Sequence, residues 1–130
     1  MLFTSCPAFA LTEGSTYDFE EKHLNAYYST GRWETADGHV HDNSGQVALR
    51  WLEDTGEPLY CMQIYNGVDS SAATAEDIKH TAVWRYEFTD GQRADFTKAS
   101  IYGYPNFDYG YSWENAQLAT QVLLWEIERN

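Results

Sequence analysis

From Ser112 to Glu128 the chain carries neither glycine nor proline. That run can be little other than a helix, and the rest of the fold must be built against it. Ser112 is a good N-cap, and Glu114 in the first turn suits the positive end of the helix dipole. Ala116, Leu118, Ala119, Leu123, Leu124 and Ile127 favour or tolerate helix. At 1.5 Å rise per residue the run makes a rod about 25 Å long. Leu118, Gln121, Val122 and Trp125 recur at three- and four-residue spacing, so they share one face. Gln121 is the odd member, a primary amide inside an apolar stripe. Taken alone, the helix argues for a buried glutamine that hydrogen-bonds a neighbouring backbone group. Left without a partner, a buried amide costs about 1–3 kcal/mol.

The chain has 130 residues, the size of one domain with one core. Ten Tyr and five Trp are a heavy aromatic load, suited to a β-rich core or a binding surface. A net charge of −12 argues against nucleic acid and anionic membrane as partners, since both select for Lys and Arg. No apolar run reaches the length of a membrane span. Residues 1–10 read as a signal-peptide remnant, with Ala8-Phe9-Ala10 in the small-x-small form of a cleavage site. A floppy terminus is the alternative. Phe3 to Cys6 makes a poor lipobox. Cleavage after Ala10 would remove Cys6 and leave Cys61 alone in residues 11–130. A lone cysteine in an exported protein implies a free thiol, an intermolecular bridge or another covalent partner.

Thr16 to Tyr28 is expected to contain an early strand. Gly31 to Gly45 is polar and turn-rich. Its His39-Val40-His41 would put two imidazoles on one face if extended, and Asp37, Asp42 or His23 lie near in sequence. Ser44, Gly45 and Gln46 stand where a cupin-like pattern needs Glu, so solvated loop histidines and no metal are expected. Gln46 to Leu52 alternates, with Val47, Leu49 and Trp51 on one face and Gln46, Ala48 and Arg50 on the other. This is the pattern of a half-buried strand. A turn over Glu53–Pro58 leads to a second strand, Leu59 to Tyr65, and the two form a hairpin. Ser70 to Thr74 reads as a small-residue linker. Between Ala75 and Phe88 a short helix running into a strand is expected, with Ala82, Trp84, Tyr86 and Phe88 on one strand face. Arg93 to Tyr102 reads as helix, with Phe96, Ala99 and Ile101 inward. Gly103 to Tyr111 is too aromatic for a passive linker and must be an ordered loop. No internal repeat or low-complexity segment is present. The fold class is α+β: an antiparallel sheet or sandwich core with a small helical part carrying Gln121.

Three segments then stand in order: Tyr60-Cys61-Met62, Tyr102-Gly103-Tyr104-Pro105-Asn106, and Ala116-Gln117-Leu118-Ala119-Thr120-Gln121-Val122-Leu123-Leu124-Trp125. Together they resemble the thioester domains of Gram-positive surface adhesins and pilus tips. In that family a Cys after an aromatic residue bonds to the Gln of a Thr-Gln-x-x-x-Trp helix, behind a Gly-Tyr-Pro segment. The likeness covers roughly Gln46 to Ile127. It implies an internal thioester between Cys61 and Gln121, with Tyr60, Tyr104, Thr120 and Trp125 as shielding or positioning residues. It also implies a single-turnover covalent adhesin rather than an enzyme, with no cofactor. The partner would be a host surface or matrix protein offering a lysine amine. The setting would be secreted or cell-surface, within a larger protein. Family members often continue past this helix with further strands, so either a compact or a truncated domain is expected at Asn130.

The chemistry also stands by itself. A thiolate attacks an amide carbonyl only in fixed geometry, and preorganised intramolecular reactions reach effective molarities of about 10⁵–10⁸ M. Trp125 and Tyr104 are candidates to cover the bond. His80, Asp108, Glu114 and the tyrosine hydroxyls are candidates to move protons. Two other functions compete. One is a non-covalent carbohydrate- or protein-binding module with an aromatic contact surface. The other is a cysteine hydrolase pairing Cys61 with His80 or His23, disfavoured because strand cysteines lack the helix N-terminus or paired His that depresses a thiol pKa.

Overall fold

Two long strands form the spine of the molecule, β2 (Thr16–Glu34) and β3 (Val40–Leu52). The computed structural model describes residues 2–4, 11–34, 36, 38, 40–61, 72–77 and 80–130. Three short strands complete one antiparallel sheet: β1 (Leu2–Thr4), β4 (Pro58–Cys61) and β5 (Ala72–Thr74). The order across the sheet is β1-β4-β3-β2-β5. Two helices follow, α1 (Asp90–Tyr102) and α2 (Trp113–Arg129). The fold is α+β, as the alternation at 46–52 and the breaker-free run at 112–128 imply.

Strand alternation sorts the core into two clusters. Phe19 and Leu52 stand opposite each other in the β2–β3 ladder and pack with Leu59, under Leu11, Tyr17 and Ala73. Tyr60, next to Leu59, belongs to the other cluster, with Phe88, Phe96, Ala99 and Leu124 beneath the helices. Both faces of the sheet are therefore covered near β4, and Val47, Ala48 and Leu49 are all buried rather than alternating. The turn at 53–57 joins β3 to β4 as expected, pairing Arg50 with Leu59 and Trp51 with Pro58.

Several expectations change. The polar stretch Gly31–Gly45 is mostly strand: β2 runs to Glu34 and β3 begins at Val40, with His41 opposite Trp33. Backbone pairing in a two-stranded ribbon tolerates polar residues that propensity would send to a loop. His39 and Asp37 lie outside the described residues, as do Cys6 and positions 62–71. Ala72–Thr74 is not linker but strand β5, paired with Thr16–Asp18. Val83–Glu87 forms a π-helical turn instead of a strand. Trp84 and Phe88 turn inward four residues apart, while Ala82 and Tyr86 face solvent. Ile101 is exposed rather than inward, because α1 buries only Phe96 and Ala99. Within the 1–10 segment, Leu2–Thr4 lies along β4 as an edge strand.

The helix ends are closed by side chains. Ser112 accepts from the Asn115 N–H, and Thr89 and Gln92 form a capping box at the start of α1. Gln92 then reaches across to donate to the Ile127 and Glu128 carbonyls in the last turn of α2. The last turn of α2 is thereby tied to the first turn of α1.

Candidate functional site

The buried line of α2 is Gln117, Thr120, Gln121, Leu124 and Trp125. This is the expected face turned slightly, since Leu118 and Val122 are only half-buried. Three of its five members are polar, and each is spent on a backbone group of another segment.

Gln121 makes the central contact. Its Oε1 accepts from the Cys61 N–H at 2.8 Å, and its Nε2 donates to the Cys61 carbonyl at 2.7 Å. The β3–β4 ladder stops at Arg50–Leu59, so the next rung would have set Cys61 against Ala48. The carboxamide of Gln121 takes the place of that rung. It supplies one donor and one acceptor, as a strand residue would. Gln121 is 3 % exposed and Cys61 4 %. The Cys61 side chain is a thiol buried at this junction.

Thr120 and Tyr60, the residues immediately before the pair, are tied to each other through the Gly-Tyr-Pro loop. The Tyr104 N–H donates to Thr120 Oγ1 at 3.0 Å, and the Tyr60 hydroxyl donates to the Tyr104 carbonyl at 2.6 Å. Five residues thus close a ring: Tyr60, Cys61, Gln121, Thr120 and Tyr104. Thr120 also donates to Ala116 O at 3.0 Å, so its own proton is engaged. Burial pushes the Tyr60 phenol well above its ordinary value, against a smaller opposing pull from the Thr120 hydroxyl. The peptide bond between Tyr104 and Pro105 is cis.

Two contributors are not obvious in the sequence. Gln117 donates to the Arg50 carbonyl at 2.7 Å, pinning β3 one helical turn before Gln121 pins β4. The signal was present as a second amide four residues upstream on the same face. Gly103 lies so close to α2 that a Cβ there would meet Thr120 Cγ2 at 2.6 Å and Ala99 O at 2.5 Å. Only glycine lets the loop seat itself on Thr120.

Trp125 is buried and packs on Tyr28 of β2, ring centroids 5.0 Å apart. The aromatic loop does not fold over the pair as a whole. Phe107 and Tyr109 stack at 5.5 Å and are exposed, as is Tyr111, so Tyr104 is the loop residue that joins the ring. The candidate bases are occupied elsewhere. His80 lies 3.2 Å from Glu13, His23 2.7 Å from Glu21, and Glu114 pairs with Lys22 at 2.6 Å. Asp108 accepts from the Gly110 N–H. Among the described residues, no cluster of His, Cys, Asp and Glu has the make-up of a metal site. No helix among them is long and apolar enough to cross a membrane.

What fold and site define is a small α+β domain with a buried Cys–Gln pair at the junction of sheet and helix. No family model, curated protein or solved structure matches the chain.

Proposed function

We propose that the chain is a covalent attachment domain whose Cys61 and Gln121 condense into an internal thioester. The observation that carries this reading is the two-point docking of the Gln121 carboxamide on the backbone of Cys61. It holds the electrophilic carbon against the one residue that bears the thiol, in a buried site. The Cys61 N–H already lies on Oε1, where negative charge develops when sulfur attacks. In the condensation the Sγ–Cδ bond forms, the Cδ–Nε2 bond breaks, and the thiol proton leaves with the nitrogen as ammonia. The nearest hydroxyls, on Tyr60 and Thr120, already donate elsewhere. The thiol proton is taken to pass directly to the leaving nitrogen.

The loaded domain then reacts once. A lysine amine of a host surface or matrix protein attacks Cδ, the C–S bond breaks, and an isopeptide-type amide and a free Cys61 thiol remain. The acidic surface steers basic partners toward it. The setting is a secreted or cell-surface protein, with this domain one part of it.

The test is an intact mass under non-reducing, amine-free conditions. The wild-type chain should weigh one ammonia less than its sequence, and methylamine should restore it to its sequence mass plus the net addition of that amine's carbon skeleton. Cys61→Ala and Gln121→Ala should each show the full sequence mass. A wild-type chain at full mass, inert to methylamine, overturns the thioester. The outward Phe107–Tyr109 stack favours a second reading in that event, a non-covalent module that binds carbohydrate or protein through exposed rings. Gln121 would then be a structural amide that replaces a missing sheet rung.

A further inference from the structure

We infer that the outer edge of β4 is a strand-acceptor edge, which takes an extended segment of the partner polypeptide with its reactive lysine in register with Cys61. The inference rests on the covalent reading above and specifies how the amine arrives.

The chain displays the arrangement itself. Strand β1 pairs with β4 as Leu2–Cys61, Phe3–Tyr60 and Thr4–Leu59. Along a strand, successive residues direct their N–H and C=O groups to opposite sides. Those of Cys61 are committed to Gln121 on the inner side. Those of Tyr60 therefore face outward, toward β1. Residues directly opposite in an antiparallel ladder share a face, with Cβ atoms about 4.5–5.5 Å apart. Whatever residue stands opposite Cys61 thus projects on the same face as the cysteine side chain. A lysine spans more than one interstrand spacing of about 4.8 Å. From that position it can cross β4 toward the Gln121 carbon.

Among the described residues β1 holds this edge through three pairs, and a partner strand of the usual length of about 5–6 residues offers more ladder bonds. A net charge of −12 favours a lysine-bearing one. In the transfer the lysine Nζ–Cδ bond forms, the Cδ–Sγ bond breaks, and the proton released by the amine ends on the Cys61 thiol. β-Augmentation would supply main-chain affinity, and register would choose the lysine.

The experiment turns the chain on itself. Leu2→Lys places an amine opposite Cys61, whereas Phe3→Lys places one on the other face. In the full chain, Leu2→Lys should stay one ammonia below its sequence mass, yet expose a Cys61 thiol to maleimide. Its peptide map should join position 2 to Gln121. Phe3→Lys should keep its thioester and resist maleimide. If both variants cross-link alike, or neither does, while their thioesters still add methylamine, the register claim is overturned.

Failure of methylamine to react with wild type would instead sink the thioester itself, and the edge is then read by binding. The probe is a fluorescein-labelled Thr-Val-Thr-Lys-Val-Thr peptide, added to full-length chain carrying Cys61→Ala and Phe3→Pro, the latter to release β1. The peptide should bind. A central proline should weaken it by about tenfold, the upper worth of one ladder hydrogen bond. No binding, or binding indifferent to proline, overturns the acceptor edge.

Discussion

The Tyr60 hydroxyl donates to the Tyr104 carbonyl at 2.6 Å, which ties the strand that carries Cys61 to the loop that leads into the Gln121 helix. Tyr60 is fully buried, and its neighbours Phe96 and Leu124 come from both helices. This one side chain therefore registers sheet, loop and helices against each other.

Tyr60→Phe should keep the packing and lose that bond, at a cost of about 1–3 kcal/mol. It should also change the response to alkali. Burial raises the Tyr60 pKa above its ordinary 10.0. The unfolded chain releases that proton first as pH rises, so the folded state loses stability beyond its ordinary pKa. Wild type should lose more stability than Tyr60→Phe between about pH 9 and pH 11. Urea denaturation of both proteins across that range measures it, and parallel curves would remove Tyr60 as the cause.

Gly103→Ala should be costly because its Cβ would fall 2.5 Å from Ala99 O and 2.6 Å from Thr120 Cγ2. Overpacking of this kind costs about 1–3 kcal/mol. The loop should lift from Thr120, and ammonia loss from the Cys61–Gln121 pair should slow. Adding Thr120→Ser removes the clashing methyl but keeps the hydroxyl, and should recover part of the stability. A folded Gly103→Ala chain that forms its thioester at the wild-type rate would show that the loop has no positioning role.

Trp125→Ala should destabilise by about 3–5 kcal/mol, the usual cost of emptying a buried Trp site. Its ring packs on Tyr28, one turn beyond Gln121. Loss of the ring should also admit water to the thioester. Mass spectrometry of hydrolysis, in a variant first shown to be folded, checks this. Equal lifetimes would leave Trp125 as core only.

The helix α2 was legible in the sequence because its determinants are local: a serine cap, no breakers and a repeating stripe. The β3–β4 hairpin was legible for the same reason. What escaped depends on partners distant in the chain. Ala72–Thr74 has no alternation of its own and becomes a strand only because Thr16–Asp18 lies beside it. The alternating 82–88 stretch reads equally well with a period of four, and packing of Trp84 on Phe88 and Phe96 selects the helical turn. At the site, the likeness of motifs brought Cys61 and Gln121 together on paper. That the amide would dock on the backbone of Cys61 followed from the early end of the β3–β4 ladder, which no local pattern announces.

The replaced rung has a consequence for what happens after reaction. Thioester formation expels Nε2, the atom that donates to the Cys61 carbonyl. The loaded domain thus loses this one hydrogen bond, at a cost of about 0.5–1.5 kcal/mol. Attack by ammonia returns the primary carboxamide, and the lost donor with it, whereas a trans N-alkyl amide carries its N–H on the side away from Oε1. Hydrolysis returns only a carboxylate, which repels that carbonyl. The three states should therefore melt in a definite order by calorimetry, the ammonia-restored chain highest, the thioester below it and the hydrolysed chain lowest. An ammonia-restored chain melting no higher than the thioester would refute this. Setting the bond, on this chemistry, loosens the domain before any partner arrives, like a latch drawn back against its spring.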